Sequence, residues 1–142
     1  MKVYAVIDTN VVVSALLRLD SIPGAVLEQA FVGNIVPLLS EEIMIEYENV
    51  LRRKKFSFKE QNIQAVMDGF RKRGVFIAPD KVKENLPDPK DIVFYAVTMK
   101  ARRGNDAYLV TGNIRHFPLK PYVVTPRDML TILDNDGRLI PG

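Results

Sequence analysis

The strongest constraint on the fold is a regular alternation of short apolar runs with helical patterns along the 142 residues. Short runs of apolar residues bounded by turn residues predict buried strands, whereas apolar residues spaced by three and four predict amphipathic helices. Such alternation is typical of a parallel sheet with helices on both faces. We therefore predict a three-layer α/β fold of about five parallel strands, formed as a single domain over residues 1–142.

The individual elements can be placed from these patterns and from turn and capping signals. The predicted strands cover Lys2 to Ile7, Ile35 to Leu39, Val75 to Ile77, Tyr108 to Thr111 and Tyr122 to Thr125. The predicted helices cover Thr9 to Leu17, Ser21 to Gly33, Ser40 to about Arg53, Ser57 to Gly74, Asp91 to Arg103, and Pro126 to the segment Asp134–Gly137. Ser57 and Glu60 have the spacing of a capping box. Pro37 indicates an edge strand or a strand end, because proline has no amide hydrogen for the ladder.

Asp8 is the main candidate functional residue. It directly follows the first buried strand, and the carboxyl ends of parallel strands border the crevice in which such sheets bind ligands. Helix N-capping is the alternative role of an aspartate at this position. Thr9 and Asn10 follow Asp8 directly and are candidate supporting residues.

Two further carboxylates are predicted to reach the same crevice. Glu46 lies on or beside the apolar face of the third helix, although Glu42 is a rival for the same role. Asp91 begins the fifth helix next to an apolar run, and Asp88 is either the helix cap or a supporting group. Carboxylate oxygens of this kind hold hard divalent cations such as Mg²⁺ and Mn²⁺.

The fourth predicted strand ends in Thr111, Gly112 and Asn113, which supplies another oxygen-bearing side chain at the same sheet edge. Gly112 permits a tight turn or a close approach of backbone to ligand. His116 is the single histidine, and it is a candidate for phosphate contact or loop stabilisation. Asp106 precedes the same strand and should therefore lie at the opposite end of the sheet.

The composition excludes several classes of site. There is no cysteine, which excludes disulfides, thiol nucleophiles and zinc–thiolate sites, and one histidine excludes any site that needs two. No Ser–His–Asp relay is readable near Ser14 or Thr9, so a serine hydrolase is also excluded. No apolar run approaches the ~20 residues of a membrane span, and we expect a cytoplasmic protein without a membrane partner.

The net charge of +3 is unevenly distributed. Eight basic and two acidic residues lie between Arg52 and Arg73, and this segment is predicted to bind the phosphates of RNA. The predicted contacts are Arg52, Arg53, Lys54 and Lys55. The alternative is that these cations stabilise helix C-termini and that Phe56 and Phe58 belong to the core.

These motifs together resemble those of PIN domains. The similarity rests on Asp8 after the first strand, Glu46 in the helix after the second, Asp91 opening a later helix, and Thr111-Gly112-Asn113 after a further strand. It extends over essentially the whole chain. The motif His116-Phe117-Pro118 after that strand also resembles PIN domains. Among them the chain is most similar to prokaryotic toxins of the VapC group, and the segment from Thr125 to Asp128 also resembles that branch.

The resemblance implies a Mg²⁺- or Mn²⁺-dependent endoribonuclease whose acidic site is Asp8, Glu46 and Asp91. Asn113 stands where the family usually has a fourth aspartate, so one negative charge is missing and a second metal ion is in doubt. The resemblance also implies 5′-phosphate products, a homodimer and an inhibitory antitoxin protein.

Two alternatives remain open at this stage. The missing charge at Asn113 favours a catalytically weak PIN module that binds RNA or a protein. A different phosphoryl-transfer enzyme is a weaker alternative, because Asn10 stands where haloacid-dehalogenase-like phosphatases need a second aspartate and no aspartate directly follows the middle strand as receiver domains require.

Overall fold

The central feature of the protein is a parallel sheet that positions the candidate site at its carboxyl edge. The structure is a computed structural model that describes residues 2–135. Within this range it contains five strands, which are β1 (Val3–Ile7), β2 (Ile35–Leu39), β3 (Val75–Phe76), β4 (Ala107–Val110) and β5 (Val123–Val124). The predicted end of the last helix lies partly outside the described residues, as does the C-terminal tail.

Six helices cover the two faces of the sheet, which confirms the predicted three-layer α/β fold. They are α1 (Thr9–Leu17), α2 (Ile22–Val32), α3 (Glu41–Leu51), α4 (Glu60–Arg73), α5 (Ile92–Ala101) and α6 (Pro126–Asn135). Short 3₁₀ turns lie at Lys54–Phe56, Pro89–Asp91 and Ile114–His116. Most predicted bounds agree with these within one or two residues.

The strand order β3-β2-β1-β4-β5 creates the crevice. The chain moves from β1 outwards through β2 to β3, and α5 then brings it back to β4 on the other side of β1. Ligand crevices in open α/β sheets form where the strand order reverses in this way. Ile7 pairs with Val110 at the carboxyl ends of β1 and β4. The next residues, Asp8 and Thr111, are therefore neighbours.

A buried tyrosine fixes α3 against the end of β1. Tyr47 is fully buried, and its hydroxyl donates a hydrogen bond to the carbonyl of Ile7. Its ring lies 4.8 Å from that of Phe70 and 6.2 Å from that of Phe94. Burial raises the pKa of Tyr47 far above its ordinary value, so the hydroxyl remains a donor. This anchor holds the neighbouring residue Glu46 beside the crevice.

The position of Pro37 differs from the prediction. Strand β2 pairs with both β1 and β3, so it is not an edge strand of the described sheet. The pairing with β3 begins only at Leu38, and the Leu39 carbonyl accepts from Ile77 on that side. Pro37, two residues before Leu39, faces the same side beyond the start of β3, where no ladder donor is required.

The capping box predicted at Ser57 is wrong. Helix α4 begins at Glu60 with Lys59 as its N-cap, and no side chain caps it. Ser57 instead adopts a left-handed conformation with φ 53°, and its hydroxyl donates back to the carbonyl of Lys54. Glu60 accepts hydrogen bonds from the side chain of Arg52. Glu60 is therefore engaged by the ion pair with Arg52, and Ser57 by the preceding turn, so the two do not form the expected capping box.

No single helix within residues 2–135 is long and apolar enough to cross a membrane. Helices α1 and α2 satisfy that test only as a pair, bent by 106°.

Candidate active site

A cleft of about 520 Å³ opens at the carboxyl ends of β1 and β4. Its acidic residues come from three separate segments of the chain and are Asp8, Glu46, Asp88 and Asp91. Thr9, Asn10, Asn113 and His116 also line it. We call it the acidic cleft. All four proposed acidic-site positions, Asp8, Glu46, Asp91 and Asn113, therefore lie around one cavity.

Asp8 is the most buried carboxylate of the cleft, with only 5% of its surface exposed. Its backbone amide donates to the carbonyl of Val110 at 2.9 Å. It holds the N-cap position of α1, but its side chain makes no capping hydrogen bond. The side chain accepts instead from the Thr111 hydroxyl at 2.8 Å. The N-cap alternative therefore does not account for the orientation of this carboxylate.

Burial raises the pKa of Asp8 from 3.8 to about 6. Loss of hydration is the largest cause, because it disfavours the charged form. The hydrogen bond from Thr111 opposes this rise, and the nearby charge of Asp91 adds to it. A buried carboxylate in this condition gains stability from a compensating cation.

Thr111 connects β4 to the acidic cleft. It is fully buried. Its hydroxyl donates to Asp8 Oδ2 and accepts from the backbone amide of Asn113 at 2.9 Å. The donating hydrogen and the accepting lone pair are thus both used. Thr111 fixes both the Asp8 carboxylate and the turn that carries Asn113.

The turn after β4 is also held by Asn10. The amide of Gly112 donates to Asn10 Oδ1 at 3.2 Å. A methyl group at Gly112 would lie 3.5 Å from that oxygen, which is ordinary contact, and the residue does not have a positive φ. The described surroundings therefore do not require glycine there. Thr9 Oγ1 is buried and has no hydrogen-bond partner among the described residues.

His116 lies between Asn113 and Asp91. Its Nε2 is 2.9 Å from Asn113 Nδ2, and its Nδ1 is 3.3 Å from Asp91 Oδ2. With the amide nitrogen donating to Nε2, the proton of a neutral imidazole is on Nδ1 and faces Asp91. His116 thereby connects two of the candidate site residues.

Asp88 and Asp91 have different roles, which the sequence left open. The Asp88 side chain accepts from the Lys90 amide at 3.0 Å and caps the turn Pro89–Asp91. Asp91 precedes α5 without a capping hydrogen bond. Burial and, secondarily, the charge of Asp88 raise the pKa of Asp91. Asp91 Oδ2 is buried, and its 3.3 Å contact with His116 Nδ1 lacks the geometry of a hydrogen bond, so this oxygen accepts none from the described residues.

Glu46 rather than Glu42 borders the cleft. Glu46 is half-buried on α3, one residue before the anchored Tyr47, and it lines the cavity. Glu42 is exposed and lines a different groove, beside Phe76. Asp106 is exposed at the amino end of β4, away from the cleft, as predicted.

The four predicted RNA contacts have different surroundings. Arg52 is bound by Glu60 and by Glu48, at 2.8 Å and 3.5 Å from its Nη2. Arg53 lines the acidic cleft. Lys54 and Lys55 are exposed and do not line it.

Residues 4–115 match the family model described as PIN domain. The chain belongs to the PIN domain family. This PIN domain is also similar to the uncharacterized protein MJ1680 of Methanocaldococcus jannaschii, with 29% identity over 116 residues, which cover 80% of this chain and 72% of the relative. The PIN domain is generally a nuclease fold, and the match identifies the family rather than a branch of it.

The chemistry of the cleft fits a divalent cation. Mg²⁺ and Mn²⁺ prefer carboxylate and carbonyl oxygens, and one carboxylate oxygen of Asp91 is buried without a hydrogen bond. The PIN domain nevertheless contains no ready-made group of three His, Asp or Glu side chains that could hold an ion within residues 2–135. The acidic side chains share a cavity without being gathered around one point.

Two cleft residues of this PIN domain were not recognised as site residues from the sequence. Phe56 and Lys90 both line the acidic cleft. Phe56 follows the basic run directly, and Lys90 lies between the two aspartates of the turn before α5. Aromatic residues next to cations are the signal that points to Phe56.

Proposed function

We propose that the protein is a divalent-cation-dependent endoribonuclease that hydrolyses phosphodiesters in the acidic cleft. The observation that carries this proposal is the convergence of Asp8, Glu46 and Asp91, from three separate segments, on one cleft of a PIN domain. The raised pKa of Asp8 and the unpartnered oxygen of Asp91 support it, since both favour a bound cation.

Asp8, Glu46 and Asp91 would hold the cation, with Asn113 as a neutral oxygen donor if its amide turns away from His116. A bound Mg²⁺ or Mn²⁺ supplies a water of lowered pKa and charge stabilisation for the phosphodiester. Thr111 holds the Asp8 carboxylate in its orientation through the 2.8 Å hydrogen bond. His116 lies between Asp91 and Asn113 and contacts the Asn113 side chain at 2.9 Å.

The direct test is cleavage of a labelled mixed RNA pool by the purified protein with Mn²⁺, with EDTA, and as the Asp8→Asn variant. We expect cutting only by the wild type with metal. Asp106→Asn is the matched control, because it removes an exposed carboxylate away from the cleft. Cutting that persists in EDTA or in Asp8→Asn would contradict the proposal.

Within this function we propose the role of a toxin paired with an inhibitory antitoxin, which rests on the resemblance of the chain, including the segment Thr125–Asp128, to VapC-like toxins. Expression should arrest growth, and Asp8→Asn should relieve the arrest. Light scattering of the purified protein tests the accompanying proposal of a homodimer. Normal growth during accumulation of folded wild type would contradict the toxin role.

A second function, a PIN module that binds RNA with little turnover, is favoured by the contact of the Asn113 amide with His116 and by the lack of a gathered acidic group within the described residues. It predicts metal-independent binding of RNA that remains intact in the same assay.

A further inference from the structure

The rim of the acidic cleft carries an aromatic ring next to an unengaged cation. Phe56 and Arg53 both line the cavity that contains the four carboxylates. Phe56 is half-buried, so its ring is held by the protein while part of it faces the cavity. A planar apolar group beside a cation matches the two parts of a nucleotide, its base and its phosphate.

The backbone between Arg53 and Ser57 is a tight and hydrogen-bonded turn. The amide of Phe56 donates to the Arg53 carbonyl at 3.1 Å, and that of Ser57 donates to the Lys54 carbonyl at 3.2 Å. Ser57 ends the turn with a positive φ of 53°. The backbone positions of Arg53 and Phe56 are therefore fixed relative to each other, as a binding subsite requires.

The ring of Phe56 stacks on a second aromatic residue. The Phe56 and Phe58 rings are stacked at 5.5 Å with an angle of 15° between them. The Lys55 ammonium lies 5.1 Å from the centre of the Phe56 ring. Lys55 is exposed, and an exposed cation–π contact is weaker than stacking of a nucleobase on an aromatic ring. A base can therefore displace this lysine.

The two adjacent arginines differ in availability. Arg52 is held by Glu60 and Glu48, whereas Arg53 makes no ion pair with any described residue. The acidic cleft repels a polyanion, so an unpaired cation on its rim is the group best placed to bind the phosphate next to the carboxylates. Lys90 lines the same cavity and adds a second positive charge.

We propose that Phe56 and Arg53 form a nucleotide subsite, in which Phe56 stacks an unpaired base of an RNA strand and Arg53 binds the adjoining phosphate. The inference rests on the proposed ribonuclease function and extends it. It gives the site a preference for unpaired RNA, because a base that is already stacked in a duplex cannot reach the Phe56 ring. Arg52, which was predicted as an RNA contact, is paired with Glu60 and Glu48 and is not part of this subsite.

Binding rather than cleavage tests this subsite. A fluorescein-labelled RNA of eight nucleotides is titrated in EDTA, as the intact strand and as a series with one abasic position in each member. We expect Phe56→Ala to weaken binding of the intact strand by roughly tenfold. For one member of the abasic series, Phe56→Ala should bind as well as the wild type does. The base that stacks on Phe56 is already absent from that RNA, so removing the ring has no further effect.

Phe56→Leu and Phe76→Ala are the control variants. Leucine retains apolar packing without a π-face, so Phe56→Leu should fold like the wild type and lose binding like Phe56→Ala. Phe76 is an exposed aromatic residue on β3 that does not line the cleft, so Phe76→Ala should bind like the wild type. Wild-type affinity of Phe56→Leu would overturn the stacking role.

Arg53→Ala and Lys54→Ala form a second matched pair. Each removes one positive charge from the same turn, but only Arg53 lines the cleft. Arg53→Ala should reduce the slope of log affinity against log salt by about 0.7, the value for one phosphate of a single strand. Equal slopes for the two variants would overturn the phosphate contact.

The outcomes separate the subsite from the ribonuclease function. If the effect of Phe56→Ala disappears at one abasic position but no metal-dependent cutting is seen, the subsite is supported and the nuclease function is contradicted. Metal-dependent cutting of RNA, together with full RNA affinity of Phe56→Ala, would overturn the subsite alone.

Discussion

Replacing Asp8 by asparagine should make the metal-free protein more stable at neutral pH. Asp8 is only 5% exposed, and burial raises its pKa from 3.8 to about 6. One pKa unit corresponds to about 1.4 kcal/mol, so ionised Asp8 destabilises the fold by about 3 kcal/mol relative to its protonated form. Asparagine has the same shape without the charge and can still accept from Thr111.

The sign and the pH range follow from the raised pKa. The folded state holds the Asp8 proton more tightly than the unfolded chain does, so wild-type stability decreases as pH rises from about 4 through about 6. Asp8→Asn lacks this titration. The stability of Asp8→Asn should exceed that of the wild type by only about 0.5 kcal/mol at pH 4. The difference should reach about 3 kcal/mol at pH 8, which is roughly 6 to 12 °C in Tm for a domain of this size.

Thermal unfolding in EDTA at several pH values measures this effect. Asp106→Asn is the control, because Asp106 is exposed and should give no pH-dependent difference of this size. A second arm adds Mg²⁺ at pH 8, which should raise the Tm of the wild type and leave that of Asp8→Asn almost unchanged. The same Tm difference between Asp8→Asn and wild type at pH 4 and pH 8 would refute the burial argument.

Three further variants test the neighbours of Asp8. Glu46→Gln should keep the wild-type Tm and lose most metal-dependent RNA cleavage, and full activity would remove Glu46 from the metal site. Asn113→Asp should tighten Mg²⁺ binding in calorimetric titration by restoring a charge, and an unchanged affinity would place Asn113 outside the site. Thr111→Val should destabilise the protein by about 1–3 kcal/mol in denaturant unfolding, because it leaves a buried Asp8 oxygen without its donor; wild-type stability would show that the hydrogen bond contributes little.

The architecture and part of the site were predictable because they depend on local patterns. The alternation of elements determines a parallel sheet, and parallel strands bring their carboxyl ends to one edge. Asp8 directly follows β1 and Asn113 comes three residues after the end of β4, so their placement at that edge requires only the strand assignment. The same reasoning correctly placed Asp106 at the other end of β4.

The choice between neighbouring residues depended on tertiary structure. Glu42 and Glu46 are four residues apart, so they lie on nearly the same side of α3 but about one helical turn apart along its axis. Tyr47 anchors the turn that carries Glu46 at the end of β1, so Glu46, rather than Glu42, borders the cleft. Asp88 caps a turn and leaves Asp91 free to face the cavity.

Competition between local and distant partners explains the errors. The sequence allowed Glu60 to complete a capping box with Ser57, but Arg52, eight positions away, binds Glu60 in the folded chain. That ion pair also distinguishes Arg52 from Arg53, which local charge patterns could not do. The sequence by itself determined the sheet and the carboxylates at its edge, whereas the contacts between distant segments decided which charges remain available in the cleft.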